Sequence, residues 1–155
     1  MKGLSFFVNN ELFAVDVNRV EKISRKMTVT KVPSAPDAVI GITNLKGSVV
    51  TIFSLYILLG CKDNKTSDLV NAVIFKSFSG NDNQMGLAID KPGELVEIDD
   101  NIINPPSLAT GMQDSFCISG IAEFEDRLYR IIDIDSIINR YKSNESNGGT
   151  KDESN

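Results

Sequence analysis

The sequence predicts a mainly β protein built as small barrels or a sandwich, and three observations carry that prediction. Short apolar runs rich in Val, Ile and Phe are separated by turn signals roughly every 8–12 residues. The apolar pattern of the first half returns in the second. The composition, 41% hydrophobic over 155 residues, suits one compact domain or two small lobes sharing a core. A chain of this length buries about 70% of the surface it exposes when unfolded, so it needs neither disulfide nor metal to fold.

Taken in order, the runs LSFFV (4–8) and LFAVDV (12–17) flank Asn9-Asn10-Glu11, a hairpin signal. VEKIS (20–24) extends as a strand after a turn near Asn18, and KVPSAP (31–36) is expected to be held extended by Pro33 and Pro36. VIGITNL (39–45) and VVTIF (49–53) follow around Lys46-Gly47. The second half supplies NAVIFKSF (71–78), MGLAID (85–90), ELVEI (94–98), FCISGIAEF (116–124) and LYRIIDI (128–134). Two short helices are predicted. SLYILLG (54–60) has Ser54 as N-cap and Gly60 as terminator, and DIDSIINRYK (133–142) has Asp133 or Asp135 as cap, with Arg140 and Lys142 in its last turn. The tail 143–155 holds no apolar side chain and is expected to be disordered.

The repeat is specific in register. With Gly41 placed over Gly120, Ile42 falls on Ile121, Leu45 on Phe124, Val49 on Leu128, Ile52 on Ile131 and Leu58 on Ile137 without a gap. Even the helix caps coincide, Ser54 on Asp133. Ala14-Val15-Asp16 resembles Ala88-Ile89-Asp90 once a short insertion is allowed. The reading is a hairpin plus short helix used twice.

Composition also removes function classes. Histidine is absent, which excludes Ser-His-Asp and Cys-His nucleophiles and most zinc sites. Cys61 and Cys117 lack CxxC spacing and read as reduced structural thiols. A net charge of −5 with no Lys/Arg run argues against nucleic acid and against a polybasic membrane patch. No signal peptide and no membrane-spanning run is visible, so the chain is expected to be cytoplasmic. No phosphate-cradling or nucleophile-elbow motif occurs, and the expectation for cofactors and metals is none. The remaining enzyme reading would pair carboxylates among Asp90, Asp99, Asp100, Asp133 and Asp135, yet Asp133 and Asp135 sit where a helix N-terminus favours anions without chemistry.

The most informative stretch is VIGITNLKGSVVTIFSL, 39–55. Asn44 shares a strand face with Ile42 and Ile40, so it either pins backbone groups at the hairpin end or faces a groove; the two roles are compatible. Gly47 is free to take positive φ in the turn. VPSAPDAVIGITNLKGSVVTIFSL resembles the CheW-like domain family, whose motif runs Pro-x-x-Pro, then Gly-x-x-Asn-Leu-Arg-Gly, then an apolar strand. GLAIDKPGELVEI, INPPSL, ISGIAEF and IIDIDSII resemble that family's second half, in order, over about Ser5 to Arg140.

The resemblance implies two pseudo-repeated five-stranded β-barrel lobes around a shared hydrophobic core, with short helices including one at the C-terminus. Residues 1–142 would form a single domain, with lobes of roughly 1–68 and 69–142 between which strands can interchange. It implies a non-catalytic adaptor coupling methyl-accepting chemoreceptor cytoplasmic helices to the histidine kinase CheA, in the stand-alone form of the family and beside membrane-bound receptor arrays. Position by position, it assigns Val20, Lys22, Asn44, Lys46 and Gly47 to a receptor-facing groove. Two departures stand out. Lys46 replaces the family's Arg, a point charge for a planar fork, and Lys22 stands where the family has Glu in Val-x-Glu-Ile. Neighbouring Glu21 would point to the other face. A CheW-like scaffold serving a different receptor–kinase pathway is therefore the alternative adaptor reading.

Overall fold

A computed structural model of the chain describes residues 1–62, 69–77, 84–106 and 116–141. Ten strands run β1 Lys2–Val8, β2 Glu11–Asp16, β3 Val20–Thr28, β4 Val39–Leu45, β5 Ser48–Ser54, β6 Leu69–Phe75, β7 Gln84–Ile89, β8 Lys91–Glu97, β9 Ile118–Phe124 and β10 Arg127–Ile132. One helical turn, α1 Leu55–Leu58, follows β5, and a longer helix, α2 over 134–141, follows β10. The expected tail, 143–155, lies outside the described residues.

The strands form two five-stranded sheets, ordered β8-β1-β2-β10-β9 and β3-β6-β7-β5-β4. Each sheet takes strands from both halves of the chain. Exchanging β1–β5 with β6–β10 turns one order into the other, so the duplication seen in sequence is a duplication of topology. Each half gives its first hairpin to one sheet and its last three strands to the other.

Both sheets close on themselves, and they do so at equivalent places. Thr30, just past β3, exchanges two backbone hydrogen bonds of 2.8 Å with Ile42 of β4. Asn104, past β8, makes the same 2.8 Å pair with Ile121 of β9. Gly41 and Gly120, the two residues that anchor the repeat, stand beside these seams. A Cβ on Gly41 would run into the carbonyl of Thr30, and one on Gly120 into Ile103. Close backbone approach is the reason glycine stands at both positions.

Strand alternation then sorts the core into three parts. Leu12, Ala14, Val96, Ala122, Tyr129 and Ile131 fill one barrel, and Met27, Val50, Ile52, Ala72 and Ile74 fill the other. The opposite faces of both sheets meet in the largest cluster, where Phe6 and Phe13 stack at 5.9 Å and Val73, Phe75 and Leu87 pack with the helices. Leu55, Leu58, Ile134 and Ile137 place both helices in that shared core.

Local chemistry explains the ends. Ser54 Oγ accepts from Ile57 N at 3.3 Å, and Gly60 takes φ of 85° just past α1. Between the two candidate caps of α2, the structure selects Asp133, whose carboxylate accepts from both the amide and the hydroxyl of Ser136. One expectation is corrected. The segment around Pro33 is not simply extended: Ala35 N donates to Val32 O at 3.3 Å, and Ser34 takes φ of 64°. Proline at the second position of a β-turn, with positive φ at the third, is a type II turn, so Pro33 here starts a reversal.

Candidate functional site: the β4–β5 corner and the barrel seam

The β4–β5 hairpin turns through Lys46 (φ 52°) and Gly47 (φ 84°), with Leu45 opposite Ser48. Positive φ at both central residues matches the hairpin turn whose twist suits its strands. The equivalent hairpin of the other barrel turns through Glu125 (φ 52°) and Asp126 (φ 62°), so the repeat extends to backbone conformation. Asn44 answers the question its sequence position raised. Its Oδ1 accepts from Gly47 N at 3.0 Å, holding the turn, while the residue stays exposed. Nothing lies within 4 Å of a Cβ built on Gly47, so its backbone angle, and not crowding, is what asks for glycine.

Asn44, Lys46 and Gly47 are thus one local unit. Val20 and Lys22 stand elsewhere, at the start of β3, whereas the chain meets β4 only past the other end of that strand, at Thr30. Val20 is half-buried against the shared core opposite Phe75. Lys22 lies opposite Ile74 and so shares the barrel-interior face of that strand, whereas Asn44, opposite exposed Val49, faces outward. Glu21 occupies the register shift between Val20 and Lys22 and accepts from Gln84 Nε2 at 2.8 Å, which commits it to β7. Among the described residues, no carboxylate is ion-paired with Lys22 or Lys46.

Residues that the sequence did not single out complete the surface. Arg25, Lys26 and Lys31 lie in and just past the later part of β3, which runs to the seam with β4, and Lys26 takes φ of 52° in the β3 bulge. They are scattered singly along the chain; the available signal was four cations in the window 22–31 with one carboxylate beforehand.

The carboxylates named as a catalytic alternative are each engaged in structure. Asp133 caps α2, Asp135 pairs with Arg19 at 2.9 Å, and Asp99 caps the short turn Asp100–Ile102. Asp90 accepts from Asn9 N at 2.6 Å, and Asp100 pairs with the N-terminal ammonium at 3.1 Å. Among the described residues, no group of His, Cys, Asp and Glu is arranged to hold a metal ion. Cys117 is buried and Cys61 half-buried, both as free thiols. Among the described residues, no helix is long and apolar enough to cross a membrane.

A family model described as the CheW-like domain matches residues 2–142. The chain is 26% identical to the chemotaxis protein CheW of Helicobacter pylori, over 90% of this chain and 82% of that protein. It is 28% identical to the chemotaxis protein CheW of Rhizobium meliloti, over 86% of this chain and 84% of that one. Among solved structures, the scaffolding protein TtCheW from Thermoanaerobacter tengcongensis superposes with a TM-score of 0.72 at 28% identity, covering 84% of this chain and 87% of its own.

Proposed function

The chain belongs to the CheW-like domain family, and on that premise we propose that it is a non-catalytic scaffold of chemotaxis, coupling chemoreceptor cytoplasmic helices to the histidine kinase CheA. The observation that carries this reading is the match of the family model to residues 2–142, the whole of the doubly barrelled fold. The engagement of each candidate carboxylate in caps, turns and ion pairs supports a role without chemistry. The place of action is the cytoplasm, beside membrane-bound receptor arrays, and residues 1–142 act as a single unit.

The receptor-facing surface is built on the β4–β5 corner, Asn44, Lys46 and Gly47, together with Val20 and Lys22 at the start of β3. Lys22 and Lys46, both without an acidic partner among the described residues, favour a second version of this reading. In it the same scaffold serves a different receptor–kinase pair. The experiment is capture of purified CheA and of a receptor cytoplasmic fragment by the immobilised protein; binding of neither would remove the coupling reading. Within it, Lys46→Glu is expected to weaken receptor capture while changing unfolding free energy by less than about 1 kcal/mol, because the residue is exposed. The other barrel already carries Glu125 at the same φ in the same turn, so the backbone tolerates that side chain. A larger stability loss would make the corner structural.

A further inference from the structure

The charge of this protein is divided between its barrels. The segments building the β3-β6-β7-β5-β4 barrel (17–62, 69–77 and 84–89) carry eight lysines and arginines against two carboxylates, Glu21 and Asp37. The segments building the other barrel, with α2 (1–16, 90–106 and 116–141), carry five against twelve. Among the described residues the protein therefore has a basic half and an acidic half. The basic half has an organised face. Leu69 lies opposite Thr28, and Thr28 O accepts from Thr43 Oγ1 at 3.0 Å across the seam. Continuing the Thr30–Ile42 register puts Thr28 opposite Asn44, which lies opposite Val49. The row Leu69, Thr28, Asn44, Val49 thus crosses four strands on the outside of the barrel, with Leu69 52% and Val49 44% exposed at its ends. Three inter-strand steps make it roughly 14 Å wide, close to the diameter of one α-helix with its side chains. Arg25, Lys26, Lys31 and Lys46 lie along this seam, and none is ion-paired among the described residues.

We infer that this seam face docks an amphipathic helix whose flanks are acidic, and that Lys46, a departure from the family's Asn-Leu-Arg-Gly, belongs to a field selecting that charge. The inference rests on the coupling reading for its biological partner but not for its chemistry. Opposite charge at such a face raises the encounter rate and rejects like-charged partners, while the apolar ends of the row supply contact area.

The test uses the full chain and two labelled helical peptides of matched length, one Leu/Glu and one Leu/Lys, with a fifteen-residue oligothymidylate as a third probe. Fluorescence anisotropy is followed from about 50 to 300 mM NaCl, a range over which surface charge becomes screened. The acidic peptide is expected to bind about tenfold or more tightly than the basic one, losing that preference with salt. The double variant K26E/K46E should abolish the preference, Lys2→Glu on the acidic barrel should leave it, and circular dichroism confirms that both variants fold. Equal binding of the two peptides, or a preference that survives K26E/K46E, overturns the inference. Tighter binding of oligothymidylate would reassign the face to nucleic acid. A self-associated species in sedimentation velocity that K26E/K46E dissociates would reassign it to the acidic barrel of a second copy. The two readings fail separately: acidic-peptide binding without capture of receptor or kinase sinks the coupling role alone, and capture indifferent to K26E/K46E sinks the charged seam and the receptor-facing place of Lys46 while the coupling role stands.

Discussion

Lys46 and Gly47 hold positive φ for a hairpin that presents side chains outward, so the corner proposed above for receptor contact also has a structural role. The Gly47 backbone, at φ 84°, lies where an L side chain is strained, although a Cβ there meets nothing. Gly47→Ala is therefore expected to cost about 1 kcal/mol through its backbone angle alone, as measured by urea unfolding. Gly47→Asp should cost less, since Asp126 occupies the sister position at φ 62° and Asp tolerates this region better than Ala. Equal costs would mean that the turn relaxes around any residue. The corner was legible in sequence because Asn and Gly each carry a local mechanism. Lys46 at positive φ was not, since lysine gives no local signal for it. The placing of Lys22 on the barrel-interior face was also hidden, because the register shift at Glu21 decides which side chain points where.

At the scale of elements, strands were readable and their closure was not. Each run of Val, Ile and Phe became a strand within a few residues of its expected limits, since alternation is local. Pro33 was misread because proline fixes φ in an extended run and in a turn alike, and the positive φ of Ser34 decides between them. The barrel seams depend on residues lying outside the strands, Thr30 and Asn104, whose partners are distant in sequence. Their local trace is the glycine next to each partner, Gly41 before Ile42 and Gly120 before Ile121. Gly41→Ala drives a methyl against the Thr30 carbonyl, a backbone oxygen held by the hydrogen bond it accepts from Ile42 N, so it is expected to destabilise by about 2–3 kcal/mol. Gly120→Ala should cost less, because its nearest obstacle is a side-chain methyl of Ile103. Thermal unfolding of the two variants checks the order, and a harmless Gly41→Ala would mean that the seam is looser than its 2.8 Å bonds imply.

At the scale of the molecule, the duplication was legible as a repeated pattern, but the crossing of strands between halves was offered only by the family resemblance, because period-2 patterns say which face is buried and not which neighbour buries it. That crossing has a consequence for folding. The first half supplies β1 and β2 to one barrel and β3, β4 and β5 to the other, so alone it holds neither sheet complete. The second half lacks the same partners in reverse, and each would expose its share of the Phe6, Phe13, Val73 and Phe75 cluster. Cutting the chain between 62 and 69 should therefore yield two fragments that are each without a cooperative thermal transition. Mixed in equal amounts, they should regain one, with amide dispersion in NMR approaching that of the intact chain, because only together do they close both barrels and fill the core between them. Either fragment folding by itself would show that a barrel closes without its exchanged strands, and the interchange would then be a feature of the assembled molecule that folding does not require.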